Sequence, residues 1–122
     1  MKPHPPHFLW TAQINGETDL ALRKLSGFLE RGRGLLGYAE LPDAHGYYFP
    51  SCRSIHTWFM PVPIDAIALD ANHVVVAILP DLQPWRMPKL PKATRHLIEL
   101  RSGEASRLGL TEALHLQIVP AS

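Results

Sequence analysis

Proline restricts the fold of this chain more than any other residue, because the 122 residues include twelve prolines, about twice the average share of roughly 5%. Each proline fixes φ and lacks a backbone N–H, so it interrupts helices and is confined to the edges of sheets. Four of them recur every three or four residues, at positions 80, 84, 88 and 91. That stretch predicts an extended, irregular connection, since a proline also keeps its predecessor out of the helical region. The whole sequence predicts short strands with many corners.

The first hairpin is predicted by two turn residues that follow a strand-like run. Asn15 and Gly16 tolerate the positive φ of a type I′ turn, and strand-like residues flank them within residues 8 to 24. The leucine spacing between residues 22 and 29 leaves open an amphipathic helix that begins at Asp19. We favour the hairpin.

A second hairpin is predicted by "IDAIALDANHVVVAILP", residues 64 to 80. Its second arm carries apolar residues on both faces, which predicts a central strand buried on two sides. Three further runs, "HGYYFPS", "LIEL" and "LHLQIV", are typical of short strands.

Two short helices complete the prediction. One is capped by Ser26 and ends near Gly32 to Gly34, where glycine suits the left-handed C-terminal position. The other is "SGEASRLG", capped by Ser102 and followed by Gly109. The sequence therefore predicts a mainly β protein, a β sandwich or compact barrel with two short helices, with an α+β fold as the alternative.

Length and composition predict one folded domain. An apolar share of 46% is typical of a chain with a core, and we expect a single β-rich domain over residues 8–122 after a mobile tail at residues 1–7. The single cysteine, Cys52, cannot form an internal disulfide, which fits a reducing compartment. The start of the chain has no apolar signal region and no stretch long enough to span a membrane. We expect a cytoplasmic protein.

The overall charge gives little support for a polyanionic partner. Twelve basic and eleven acidic residues leave a net charge of +1, so no global field attracts nucleic acid. Arg86, Lys89, Lys92 and Arg95 form a local basic run beside Trp85, but an ordinary solvated loop has the same composition. We expect a small molecule or a protein as the partner, and the oligomeric state stays open.

Cys52 and His56 stand four residues apart in "SCRSIHTWFMPVPIDAIALD", residues 51 to 70. An imidazole in reach of a thiol can populate the reactive thiolate. Alternatively, Cys52 is a small buried residue and His56 a hydrogen-bonded structural one. Zinc is not indicated, because no second Cys or His pair lies at a finger-like interval. The sequence indicates no cofactor and no metal.

Asp65 shares a predicted strand face with Ile67 and Leu69, which places its carboxylate at the edge of the core. A buried carboxylate needs partners, and backbone N–H groups, Arg53 or His56 could supply them. Asp65 is therefore either a residue that fixes the corner or a ligand-binding or acid/base group.

Trp58 and Met60 precede a proline corner, and Trp85 and Arg86 lie in the later proline-rich stretch. Such side chains either pack the core or its rim, or they form a surface on which a ligand stacks.

The chain resembles one family through three sequence boxes taken together. They are Arg31, Gly34, Leu35 and Leu36; Met60, Pro63, Ile64 and Asp65; and Ile98, Glu99, Leu100 and Gly103. This combination resembles the domain-of-unknown-function family numbered one hundred and ninety-two, which comprises small prokaryotic domains, over Leu20 to Ile118. The resemblance implies a compact β sandwich or barrel with small helices and no established activity. One departure is Glu112-Ala113, where the family commonly has Gly-Asp.

Three functional hypotheses follow from these residues. The leading one is a non-enzymatic binding or accessory module that uses the corner from Cys52 to Asp65, with Trp85 and Arg86 nearby. The second is an enzyme or redox protein with Cys52 as nucleophile, His56 as base and Asp65 orienting the imidazole. The third is a metal site at Cys52 and His56.

Overall fold

The computed structural model describes residues 8–25, 38–58 and 60–121. Its strands form one seven-stranded sheet with the order β5-β4-β6-β3-β2-β1-β7. The strands are β1 (Trp10–Ile14), β2 (Thr18–Lys24), β3 (His45–Phe49), β4 (Ile64–Leu69), β5 (Val75–Leu82), β6 (His96–Arg101) and β7 (Gln117–Pro120). The described residues also contain one short helix, α1 (Glu104–Arg107), and a 3₁₀ turn at Tyr38–Glu40. Within these ranges, no helix is long and apolar enough to cross a membrane.

The mainly β prediction is confirmed, and two of its details are corrected. The described strands form one open sheet, not a sandwich or closed barrel. One α-helix lies in the described ranges, where two were predicted. The first predicted helix, with its cap at Ser26 and its end at 32–34, lies outside the described residues, as does the predicted tail at residues 1–7.

The two edges of the sheet approach each other at one point. Val75 donates a backbone hydrogen bond to Leu114 (2.9 Å), and Leu116 donates one to His73 (3.0 Å). This forms an isolated antiparallel bridge between Val74 and His115. β5 and β7 stand at the two ends of the described strand order and form no ladder with each other, so the sheet is not closed.

The β1–β2 hairpin is confirmed. Asn15 and Gly16 have φ values of 53° and 69°, and Glu17 donates a hydrogen bond to Ile14 across the turn (3.1 Å). The alternative helix from Asp19 is wrong, since that segment is β2.

The β4–β5 hairpin is confirmed, but its second arm is an edge strand and not the predicted central one. β4 lies between β5 and β6 and is buried along its whole length. Both faces of the sheet are covered: Ile67 and Leu69 belong to one core cluster, and Ala66 and Ala68 to the other. β5 therefore needs apolar side chains on both faces even at the edge. Its Pro80 is tolerated there because the outer side of an edge strand needs no ladder donor.

The helix α1 begins without the predicted serine cap. Gly103 occupies the N-cap position with φ of 94°, and no side chain caps the helix from that position. The Ser102 hydroxyl instead donates to Asp81 Oδ1 (2.7 Å). Gly109 follows the helix with φ of 73°, as predicted.

Candidate functional site

Thr57 joins the corner after Cys52 to the proline-rich connection after β5. Its backbone N–H donates to Arg86 O (2.8 Å), and its carbonyl accepts from Trp85 N (3.0 Å). Its hydroxyl donates to Gln83 O (2.7 Å) and accepts from Arg86 N (2.9 Å). The residue is only 1% exposed. These bonds hold the two segments side by side.

The two joined segments present large apolar side chains to solvent. Trp58 is 46% exposed, Trp85 59% and Met87 67%, and Arg86 beside them is also exposed. We call Trp58, Trp85, Arg86 and Met87 the tryptophan surface. Clusters of exposed large apolar residues, rimmed by polar groups, are typical of interaction sites.

The backbone at Trp85 has a φ of 64°. A bulky residue in this left-handed region costs about 1 kcal/mol or more. The hydrogen bonds to Thr57 on both sides of this residue hold it in that conformation. Strain of this kind concentrates at functional sites.

A groove of about 290 Å³ adjoins the tryptophan surface. It is lined by residues 80–83 and 86–88, so it shares Arg86 and Met87 with that surface. The end of β5 forms one wall, and the proline-rich connection forms the other. An exposed apolar surface with an adjacent groove can accept a side chain of a partner.

The carboxylate of Asp65 lies away from solvent and binds backbone N–H groups. It is 1% exposed. Oδ1 accepts from Asp81 N (2.8 Å), and Oδ2 accepts from Gly103 N (3.0 Å) and Ala105 N (2.9 Å). Asp65 therefore joins the end of β5 to the start of α1. Since both oxygens are engaged there, this arrangement does not support a role in orienting His56.

Cys52 and His56 contact different groups. The Cys52 thiol donates to Ser54 O (3.2 Å), and its backbone N–H donates to Arg95 O (2.8 Å). The His56 ring lies against Trp58, with a centroid distance of 5.0 Å. Both residues are half-buried. The described residues contain no group of three or more His, Cys, Asp or Glu side chains that could hold a metal ion.

The structure brings together only part of the predicted site. Thr57, which precedes Trp58, bonds to the backbone of Trp85 and Arg86, and His56 lies beside Trp58. Met60 is buried in the core, and Arg53 is exposed. Thr57 was missed, because nothing in the sequence marks a lone threonine between apolar residues as a buried hydrogen-bonding centre.

Basic residues outnumber acidic ones in the two segments that form the tryptophan surface. The segments 52–64 and 82–98 contain no acidic residue. Among the described residues, the basic members of ion pairs are Arg101 and Arg107 alone. Arg53, Arg86 and Lys89 are exposed and are therefore available to an anionic partner.

The ion pairs concentrate at α1, in a group that we call the ion-pair cluster: Asp43, Arg101, Glu104 and Arg107. Arg101 Nη2 lies 2.7 Å from Asp43 and 2.9 Å from Glu104. Glu104 also accepts from Arg107 and from the backbone N–H of Ala44. The Arg107 hydrogen bond is the main reason that the pKa of Glu104 is lowered to about 2.

Two histidines that are far apart in the sequence meet near the point where the sheet edges approach. His73 Nε2 lies 2.9 Å from the Tyr48 hydroxyl, and the His73 and His96 rings are 4.9 Å apart. Ser51 N donates to His96 Nδ1 (3.0 Å). Burial lowers the pKa of both histidines, so the pair favours the neutral form. Only the three-dimensional approach of separate strands reveals it.

Two solved structures have a similar fold. One is a protein of unknown function from Novosphingobium aromaticivorans DSM 12444, with a TM-score of 0.69 and 22% identity over 89% of this chain and 83% of that one. The other, from Sinorhizobium meliloti 1021, is described as a candidate transcription regulator and has a TM-score of 0.68 and 16% identity over 88% and 90% of the two chains. At these identities the likenesses show the fold alone. No curated protein matches this chain.

The family comparison covers the sequence boxes and the site together. The model of the DUF192 family, described as uncharacterized ACR, matches residues 10–118. This span includes both segments that form the tryptophan surface, and it includes the buried Asp65. The protein therefore belongs to the DUF192 family.

Proposed function

We propose that this protein is a non-enzymatic binding or accessory module and that its tryptophan surface contacts the partner. The observation that carries the proposal is the exposure of Trp58, Trp85 and Met87 on segments held together by buried Thr57. A surface that is already ordered loses little conformational entropy when it binds. Trp, Met and Arg are also enriched where protein partners bind.

The arrangement of Cys52 and Asp65 supports a binding role over a catalytic one. A nucleophilic thiol needs a base in reach and a third group that orients the base. Here the thiol donates to a nearby carbonyl, and the Asp65 carboxylate is occupied by three backbone N–H groups. We propose a cytoplasmic location, because the single cysteine suits a reducing compartment, and a prokaryotic source, because the family that the chain resembles comprises small prokaryotic domains.

The test monitors the three tryptophan indole N–H signals in proton–nitrogen correlation spectra of the full chain. Trp58 and Trp85 report the proposed surface, and Trp10 on β1 is the internal control. Mixtures of peptides, nucleotides and sugars are added in turn. The proposal expects at least one mixture to shift Trp58 and Trp85 while Trp10 stays fixed.

Two results would contradict the proposal. One is binding that shifts other residues and leaves Trp58 and Trp85 unchanged. The other is turnover of ester, phosphate or disulfide substrates that Cys52→Ala abolishes, which would favour the cysteine-dependent enzyme.

A further inference from the structure

We propose that the partner of the tryptophan surface is an acidic peptide segment in which carboxylates flank an apolar side chain. This inference rests on the proposed function, because it assumes that the tryptophan surface is the binding site. It adds the chemical class of the partner. Three features of the surface carry it: the sign of its charge, its exposed apolar area and the composition of the adjacent groove.

The charge selects an anionic partner. Arg86 belongs to the surface, and Lys89 lies three residues further along the same acid-free segment. Both are exposed and have no ion pair within the described ranges. The acid nearest to Arg86 along the chain is Asp81, which accepts hydrogen bonds from Ser102 and Gln83 and forms no ion pair within the described ranges. Complementary charge attracts a partner of opposite sign and excludes one of the same sign.

The exposed apolar area of the tryptophan surface indicates that the partner carries apolar groups as well as negative charge. Trp58, Trp85 and Met87 each leave about half or more of their surface exposed. An inorganic anion would leave that area in water. A partner with apolar groups beside its charges removes from water both the exposed apolar side chains and the aliphatic stem of Arg86.

The groove separates a peptide from a nucleic acid. Its lining includes Leu82, Met87 and two prolines, Pro80 and Pro88, and its charged members are one cation and one anion, Arg86 and Asp81. A groove that tracks a phosphate backbone is positively charged, whereas in this groove the charge of Arg86 is offset by that of Asp81. An apolar side chain fits this lining, while Arg86 at the groove and Lys89 outside it are exposed and can pair with the carboxylates on either side of that side chain.

The test titrates four fluorescein-labelled probes into the full chain and measures anisotropy together with the indole N–H signals of Trp58 and Trp85. The first probe is a peptide that alternates glutamate with leucine and phenylalanine, and the second replaces each glutamate by lysine. The third is a polyglutamate peptide without apolar residues, and the fourth is oligothymidylate. We expect only the alternating acidic peptide to bind and to shift both indoles. We also expect its affinity to fall as salt is raised, because rim charges are screened.

Variants connect the binding to the named side chains. Arg86→Gln combined with Lys89→Gln, and separately Met87→Ala, are each expected to weaken the acidic peptide about tenfold or more, equivalent to about 1.4 kcal/mol. The controls are Arg23→Gln on β2 and Leu9→Ala, which remove a cation and an exposed apolar side chain elsewhere. Both controls should bind as the wild type does.

The outcomes separate this inference from the proposed function. If oligothymidylate or the lysine peptide shifts Trp58 and Trp85 while the acidic peptide does not, the partner class is wrong and the binding surface stands. If polyglutamate binds as tightly as the alternating peptide, the apolar part of the inference is wrong. If the control variants lose affinity as strongly as the surface variants, or no probe moves either indole, the inference is overturned.

Discussion

The ion-pair cluster and the tryptophan surface use the same kinds of side chain in opposite ways. In the cluster, Arg101 contacts two carboxylates, Asp43 and Glu104, and Glu104 is nearly inaccessible to solvent. On the surface, Arg86 has no acidic partner in the described part of the chain, and two tryptophans stand beside it in solvent. The cluster therefore stabilises the protein, whereas the surface leaves its charge and apolar area for another molecule.

The two regions are connected through Asp81. Its backbone N–H donates to Asp65, which also holds the start of α1, and its side chain borders the groove. Substitutions can therefore test each region separately and can also test the link between them.

The largest effect is expected at the link, for Asp65→Asn. The variant keeps the shape of the side chain but presents an amide to backbone N–H donors, and each lost bond to a charged acceptor costs about 1.5 to 3 kcal/mol. We expect urea denaturation to show a loss of about 4 kcal/mol in the free energy of unfolding. Asp19→Asn, at an exposed site on β2, should stay within about 0.5 kcal/mol. Equal stability of the two variants would refute the structural role of Asp65.

The next largest effect is a loss of stability in acid, which we expect at the ion-pair cluster. The pKa of Glu104 in the folded protein is about 2, below its ordinary value of 4.5. Its contribution is therefore fully present above pH 4.5 and is lost as the pH falls toward 2, about 3 kcal/mol in all. Near neutral pH, the free energy of unfolding of Glu104→Gln should be lower than that of the wild type. It should also fall less as the pH is lowered. Parallel pH curves for the variant and the wild type would contradict the assignment.

A smaller effect is expected at the support of the tryptophan surface. Thr57→Val leaves the N–H of Arg86 and the C=O of Gln83 without their hydroxyl partner, at a cost of about 2 kcal/mol. Tryptophan fluorescence should also change in the folded state, because the segment that carries Trp85 keeps only its backbone hydrogen bonds to residue 57. Thr57→Ser keeps the hydroxyl and is the matched control. A fluorescence spectrum unchanged in Thr57→Val would mean that the surface does not depend on these bonds.

The smallest effect separates the two kinds of arginine. Arg86→Gln should change the free energy of unfolding by less than about 0.5 kcal/mol, since the Arg86 side chain has no ion pair among the described residues. Arg101→Gln removes contacts to Asp43, Glu104 and the carbonyl of Leu41 and should cost about 1 to 2 kcal/mol. Thermal denaturation of the two variants provides the comparison, and similar losses would remove the distinction between the regions.

Local sequence signals predicted the hairpins, because a turn such as Asn15-Gly16 and its flanking residues are neighbours along the chain. The face of Asp65 was also predictable from alternation along β4. The edge position of β5 was not, since an edge strand covered on both faces has the same apolar pattern as a central one. The N-terminus of α1 was likewise not predictable from neighbouring residues. Ser102 is adjacent in sequence, but the backbone N–H groups at the start of the helix donate to Asp65, about forty residues earlier.

The candidate site was predictable as a list of residue types but not as an arrangement. Trp58, Trp85 and Arg86 could be named from composition, and their adjacency was left open. It depends on hydrogen bonds from Thr57 across 26 to 29 residues. Whether each tryptophan was buried or exposed depended on the same long-range contacts.

The pairing of the first strand with the last also determines when the sheet can form. Trp10 pairs with Pro120, and residues 113–116 bond to His73–Val75. During synthesis, one side of β1 and the outer end of the β4–β5 hairpin therefore stay unpaired until almost the whole domain has left the ribosome. Contacts so distant along the chain make folding slow, and exposed strand edges invite aggregation in the meantime. Until β7 is made, those edges are therefore the part of the sheet most exposed to association with other chains.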